Sequence, residues 1–270
     1  MRMADETKIA WCDSTFNPWI SCTKVSPACD NCYASMSTPV RAMKIEWGPG
    51  KPRHRTSETT WKQPLLWERQ HEKFFAEHGR RRRVFCASLA DVFDNEVDPQ
   101  WLADLMELVL KTPRLNWLLL TKRIGNAQRL IAEAGDLIDY GEGWQSLWGQ
   151  GDWPNNVWVG ATICNREEFD RDVDKLRAIP AAVRFLSIEP LLEDLGDINL
   201  TDIDWVIVGG ESGPRCRPSD PDWFRSLAQQ CKASGSAYFM KQMGGVRDKR
   251  GNLDDLPDDL RIREFPAVPR

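Results

Sequence analysis

Three of the eight cysteines in this 270-residue chain are bunched together: Cys22, Cys29 and Cys32. The segment reads Phe16-Asn17-Pro18-Trp19-Ile20-Ser21-Cys22, then six residues, then Cys29-Asp30-Asn31-Cys32-Tyr33-Ala34. Two thiols three positions apart at the start of a helix can reach one metal centre, and a third from the preceding loop completes a three-point cradle. Amides at a helix start, and the positive end of its dipole, favour thiolate over thiol. Two metal chemistries answer to that pattern. A cluster of four irons held by three cysteines leaves one iron without a protein ligand, and reaction chemistry would occur there. Tetrahedral zinc is the alternative, with Cys12 as a fourth ligand in a zinc-stabilised, non-catalytic protein that binds nucleic acid or a partner. Zinc ribbons usually carry two closely spaced cysteine pairs and this chain carries one, which favours the iron cluster.

The elements that would position these thiols follow from apolar patterning. Seven short apolar runs read as strands buried on both faces: Lys8 to Trp11, Val84 to Ala87, Trp117 to Leu120, Val157 to Val159, Val183 to Ile188, Trp205 to Val208 and Ala237 to Met240. Helical patterns lie between them at Pro99 to Lys111, Ile124 to Ala134, Arg166 to Ala178 and Asp222 to Ala233. In the first, Trp101, Leu102, Leu105, Met106, Leu108 and Val109 form one broad stripe. The last has Ser219 and Asp220 as caps, Pro221 near its first turn and Gly235 beyond its end. Strand then helix, repeated, implies an α/β fold of parallel strands joined by crossover helices. Whether such a repeat closes into a barrel or stays an open sheet, its chemistry lies at the carboxyl ends of the strands.

Those ends supply the other candidates. Ser88 to Asp94 follows the second run and Thr121-Lys122-Arg123 the third, where backbone amides and two cations would hold a phosphate or carboxylate. Thr162 and Cys164 follow the fourth, Glu189 the fifth, Gly209-Gly210-Glu211 the sixth, and Lys241 and Gln242 the last. Glu189 would accept hydrogen bonds from a ribose or cap the chain that follows. Cys164 and Cys216 lie just past strand ends, where most cysteines serve only packing. The other scattered cysteines, Cys86 and Cys231, read as small buried hydrophobes. Of the 13 Trp, Trp101, Trp117 and Trp205 fall at core positions, whereas Trp47, Trp144, Trp148 and Trp153 lie in irregular stretches and are candidates for substrate or partner contact.

Composition bounds the rest. With 41% apolar and 28% charged residues the chain can bury a substantial core. A net charge of -4 excludes a protein that coats nucleic acid through bulk positive charge. The clusters Lys51 to Arg55 and Arg80 to Arg83 leave room for a local basic groove, and the plainer reading of each is a solvated loop. No apolar stretch approaches a membrane span and the start lacks a secretory signal, so the expected location is the cytoplasm. One domain over 1-245, with the cluster loop at 17-34, and a polar tail over 246-270 is the expected organisation.

The motif resembles the signature of radical S-adenosylmethionine enzymes, in which Asn-Pro and an aromatic precede the first cysteine and Cys-Tyr-Ala closes it. It is most similar to branches such as spore photoproduct lyase, although their first two cysteines are separated by three residues and these by six. The whole chain also resembles a phage-associated family of three-cysteine-motif proteins. The resemblance implies a partial or full (β/α) barrel of the radical S-adenosylmethionine type, with Cys22, Cys29 and Cys32 on a 4Fe-4S cluster and S-adenosyl-L-methionine on the open iron. It implies reductive cleavage to a 5'-deoxyadenosyl radical that abstracts hydrogen from a nucleic acid or nucleotide substrate. An electron donor for the cluster and a partner protein encoded nearby are implied as well. In these enzymes a Gly-Gly-Glu stretch after the second strand binds the methionine amino group, and here that position reads Ser88-Leu89-Ala90-Asp91. Ser88 or Asp91 is therefore expected to do that work. Thr121, Thr162, Gly209, Gly210 and Glu211 complete the expected cofactor contacts, and Lys122, Glu189, Glu211 and Cys164 are the candidate catalytic residues.

Overall fold

The computed structural model describes residues 7–138, 148 and 153–267. Seven strands form one sheet in the order β1 (Ser14–Phe16), β4 (Arg82–Cys86), β5 (Leu115–Thr121), β6 (Val157–Thr162), β7 (Val183–Ile188), β8 (Trp205–Gly209), β9 (Ala237–Gln242). The pairs β1–β4, β4–β5, β7–β8 and β8–β9 are parallel. Neighbours in space are thus neighbours in sequence once the small antiparallel pair β2 (Trp19–Ile20) and β3 (His54–Arg55) is set aside. The α/β class read from the alternating patterns is the one found.

Six of the seven expected strands are present, one with the expected length and the others one to three residues longer than their apolar runs. The first is displaced. Lys8 to Trp11 forms a turn, closed by Cys12 N–H on the Ile9 carbonyl at 3.3 Å, and pairing with β4 begins at Ser14. Trp11 is buried because it packs on Phe85, with ring centroids 4.6 Å apart. Its burial therefore comes from a turn, and the polar Ser14 and Thr15 form the strand.

The chain divides into two compact units, residues 1–24, 33–159 and 180–182 in one, and 25–32, 160–179 and 183–270 in the other. In the first, α5 (Pro99–Leu110) is capped by Asp98, whose carboxylate accepts from Gln100 N–H at 2.9 Å, and buries the stripe of Leu102, Leu105, Met106, Leu108 and Val109. Trp101 is only half-buried, with Arg55 over its ring. The helix expected from Ile124 begins as a 3-10 turn and becomes α6 (Ala127–Gly135). Three further helices, α2 (Glu58–Trp61), α3 (Gln63–Arg69) and α4 (His71–His78), fill a stretch whose pattern showed no periodicity. α1 (Thr38–Ala42) contributes Val40, which packs with Ile20 and Ile45, and Trp47 covers them. Trp47 is therefore partly committed to packing.

In the second unit, Asn165 caps α7 (Arg166–Arg177) by accepting from Glu168 N–H at 2.8 Å. Asp220 and left-handed Gly235 bound α8 (Pro221–Ser234). After β9 the chain returns along it: Met240 N–H donates to the Ile262 carbonyl at 2.8 Å and Glu264 N–H to the Tyr238 carbonyl at 2.9 Å. The residues expected as a tail thus pack on the sheet edge within this unit.

The basic clusters serve the fold. Asp13 binds Arg80 through both oxygens at 2.6 and 2.8 Å, Arg83 is buried beside it, and Arg82 lies 4.3 Å over the Phe74 ring. Arg53 is buried and Arg55 pairs with Asp104 at 2.6 Å. These arginines are neither solvated loops nor a free basic groove. Trp148 and Trp153 are buried and stack 5.4 Å apart, so a role in contacting substrate does not fit them, and Trp144 lies outside the described residues.

Candidate functional site

In the first unit, the site is built around a loop that turns sharply at Ser21, a non-glycine residue at φ 97. The side chain of Ser21 donates to the Glu46 carbonyl at 2.9 Å and its N–H to the Leu89 carbonyl at 3.2 Å, which hold that unusual conformation. Cys22 follows, and its sulfur accepts from Arg123 Nη1 at 3.4 Å. Arg123 reaches it from the carboxyl end of β5. It also donates to the Thr23 carbonyl at 2.7 Å and pairs with Asp91 at 3.1 Å.

Asp91 organises this end of the sheet. Its Oδ1 accepts from the Thr121 hydroxyl at 2.6 Å and Phe93 N–H at 3.0 Å, and its Oδ2 from Lys122 N–H at 2.9 Å. Both oxygens are engaged before any ligand arrives. Next to it, Asp94 accepts from Arg53 Nε at 2.8 Å, with both side chains essentially out of solvent. Arg53 also donates to Thr23 Oγ1 at 2.8 Å, and that hydroxyl donates to Glu96 at 2.9 Å. Burial acts against the charge on Arg123, but Asp91, Cys22 and Asp94 outweigh it and raise its pKa. Burial, and then the negative charge of Asp91, push the Cys22 thiol up to about 11, with Arg123 acting in the opposite sense.

Ser88 is held rather than loose. Asn17 donates to its Oγ at 3.0 Å and accepts from Leu89 N–H at 2.7 Å, while Tyr33, otherwise exposed, donates its hydroxyl to the Ser88 carbonyl at 3.0 Å. The Asn17 and Tyr33 of the motif therefore brace the loop after β4. Ala87, at φ 63, makes the turn out of that strand.

In the second unit the loop of residues 25–32 carries the other two thiols. Ser26 opens a 3-10 turn by accepting from Ala28 N–H at 3.1 Å, and Cys32 N–H reaches the Cys29 carbonyl at 3.3 Å, so the two cysteines sit one turn apart. Glu211, just beyond β8, clamps this loop. It accepts from Asn31 Nδ2 at 3.0 Å and from Arg217 Nη2, Nε and N–H at 2.6, 3.0 and 2.8 Å. Arg217 then donates to the Pro27 carbonyl at 2.9 Å, and Asn31 to the Arg215 carbonyl at 2.9 Å. Burial acts to raise the Glu211 carboxyl, and the bonds from Arg217 and Asn31 together bring it below its ordinary value. The carboxylate expected to face a ligand is occupied in holding the cysteine loop.

Gly210 is required for close approach, since a Cβ there would collide with the Met243 carbonyl and come within 2.7 Å of Ser219 Oγ. Gly209 is less crowded, its nearest neighbour being Gln242 at 3.4 Å. Cys164 is fully buried, 3.8 Å from Ser26 Oγ, with its N–H on Glu168 at 2.9 Å. Burial and then the Glu168 hydrogen bond push its thiol up to about 12. Thr162 is buried at the end of β6. Glu189 pairs with Lys241 across the end of β8 and accepts from Ser187 at 3.3 Å.

All eight cysteines are free of disulfides. Among the described residues no three His, Cys, Asp or Glu side chains gather as a site for a single metal ion. Zinc bound by Cys12 and the trio would need such a group, and Cys12 instead lies in the core with its thiol toward the Ile9 carbonyl. Cysteine thiolates are the donor type that an iron-sulfur cluster takes, and the motif supplies three of them.

The chain belongs to the family described as protein of unknown function (DUF5131), whose model matches residues 6–262. Among curated proteins there is no match. Among solved structures, a cysteine-to-alanine variant of spore photoproduct lyase is similar at 12% identity and TM-score 0.43, over 85% of this chain and 63% of that one. A double variant with bound AdoMet and a dinucleoside spore photoproduct gives the same values. The chain thus spans less than two thirds of those chains. No helix among the described residues is long and apolar enough to cross a membrane.

Proposed function

We propose that this protein is a radical S-adenosylmethionine enzyme whose Cys22, Cys29 and Cys32 hold a 4Fe-4S cluster. One observation carries the reading: the motif's cysteines lie in segments that, each within its own unit, are secured by a charged residue beyond a strand's carboxyl end. Arg123 after β5 secures Cys22, and Glu211 after β8 secures the loop of Cys29 and Cys32. When bound and reduced by an electron donor, the cluster would supply the one electron that splits S-adenosyl-L-methionine into methionine and a 5'-deoxyadenosyl radical for hydrogen abstraction.

The chain's own residues would orient and enclose. Ser88, fixed by Asn17, keeps a hydroxyl at the end of β4, whereas the close approach that Gly210 permits is to the Met243 carbonyl. Thr121 and Thr162 would line the cofactor. Lys122 and the Lys241–Glu189 pair offer charged and polar contacts for ribose or phosphate. Cys164, protonated at neutral pH, retains a hydrogen to give. The proposed substrate is a nucleic acid or modified nucleotide, a choice supported by the likeness of the motif to the photoproduct lyase branch and not by the arginine clusters, which the fold uses. Phage-related modification or repair, an electron donor and a neighbouring partner protein belong to the same reading.

The test is anaerobic purification with iron and sulfide analysis, then reduction in the presence of S-adenosyl-L-methionine with assay for 5'-deoxyadenosine. Iron, sulfide and deoxyadenosine are expected, all lost in Cys29→Ala. Stoichiometric zinc in a colourless protein, or full iron retention in Cys29→Ala, overturns the proposal.

A further inference from the structure

Arg123 makes a contact that the three-cysteine motif does not contain. Its side chain is 8% exposed, yet one of its N–H groups is directed at a sulfur, the Cys22 Sγ at 3.4 Å, beside a carboxylate oxygen of Asp91 at 3.1 Å. A neutral thiol is a weak acceptor, whereas a thiolate takes a charge-assisted hydrogen bond from a guanidinium. The other nitrogen fixes the Thr23 carbonyl at 2.7 Å, so one planar group sets both the sulfur and the backbone directly after it. Asp91 pairs with the same Nη1 that meets the sulfur, Asp94 lies 3.9 Å from Nη2, and Arg53 pairs with the other oxygen of Asp94.

We infer that Arg123 is the positioning residue of the cluster's first ligand, donating to the Cys22 sulfur and thereby raising the cluster's reduction potential. The inference rests on the cluster reading above. A donor to a ligand sulfur stabilises the electron-rich, reduced form more than the oxidised one. The fork geometry matters: a lysine ammonium offers its donors from a single point and cannot span the Cys22 sulfur, the Thr23 carbonyl and Asp91 together. Arg53 is the internal comparison, being buried in the same network without touching any sulfur.

Three proteins are compared after anaerobic reconstitution: wild type, Arg123→Lys and Arg53→Lys. Iron per chain, thermal midpoint and midpoint potential are measured on each. Arg123→Lys is expected to retain a cluster while its reduced fraction at a fixed potential falls about tenfold, a shift of about 59 mV to more negative values for a one-electron couple. Arg53→Lys is expected to leave the potential unchanged. An unshifted potential in Arg123→Lys, or an equal shift in Arg53→Lys, overturns the inference. Because either variant can fail to fold, wild-type protein labelled with 15N-arginine provides a second measurement by pulsed electron paramagnetic resonance of the reduced cluster. A 15N coupling, replaced by a 14N coupling in unlabelled protein, is expected, and a cluster with no such coupling overturns the inference while leaving the cluster reading intact. Wild-type protein that takes up no iron overturns that reading itself.

Discussion

Replacing Glu211 by Ala removes the acceptor for four hydrogen bonds, three from Arg217 and one from Asn31. Breaking a buried ion pair by deleting one partner costs about 3–5 kcal/mol, because the other charge is left without compensation. Glu211 is buried with a side chain 6% exposed, but Arg217 is 32% exposed and water rehydrates it once it is released, so a discount is required. About 2 kcal/mol remains, and it falls on the loop of residues 25–32, which Arg217 and Asn31 hold directly. Hydrogen exchange reads this locally. At roughly tenfold per 1.4 kcal/mol, the amides of Cys29 and Cys32 should exchange about 30-fold faster in Glu211→Ala. Asn31→Ala, which keeps the Arg217 bonds but loses two partly exposed hydrogen bonds, to Glu211 and to the Arg215 carbonyl, should accelerate them only about fivefold, at about 0.5 kcal/mol for each bond. Unchanged exchange at Cys29 and Cys32 in folded Glu211→Ala would refute the view that this carboxylate clamps the cysteine loop.

Two further predictions follow from the packing and the charges. Gly210→Ala forces a methyl group onto the Met243 carbonyl and should cost about 2–3 kcal/mol as overpacking, lowering the melting temperature by about 5–10 °C; a melting temperature within a degree of wild type would contradict it. Asp13 and Glu211 both have folded-state pKa values below their ordinary 3.8 and 4.5, burial being outweighed by their arginine partners. The unfolded chain then binds more protons as pH falls, so their stabilisation is complete above about pH 4.5 and is lost as pH drops through the lowered values. The urea midpoint should fall from pH 5 to pH 3, less steeply in Asp13→Asn, and an identical slope in that variant would count against the assignment.

What the sequence disclosed was what local pattern encodes. Val183 to Ile188 is a strand as read, with Val183, Phe185, Leu186 and Ile188 buried in a run too short for a helix, and α8 starts where Asp220 and Pro221 say it should. Helices α2 to α4 went unread since few of their residues, chiefly Trp67 and Phe74, are buried apolar ones, and so no stripe forms. At the site, the cysteines announce themselves by spacing. Arg123, Arg53 and Arg217 do not, since their meaning depends on partners far along the chain. Thr121-Lys122-Arg123 did signal a cationic strand end, but that Arg123 meets Cys22 is set by a separation of 101 residues. Glu211 was singled out for the wrong neighbour for the same reason.

That distance has a consequence in time. The contacts securing the loop of Cys29 and Cys32 span 180 residues from Asn31 to Glu211 and 190 from Pro27 to Arg217. At a synthesis rate of about 5–20 residues per second, the two cysteines leave the ribosome about 10–40 s before Arg217 is made. Throughout that interval the nascent chain carries reduced, unclamped thiols, so a metal or an oxidant can meet them before the fold can choose between the two.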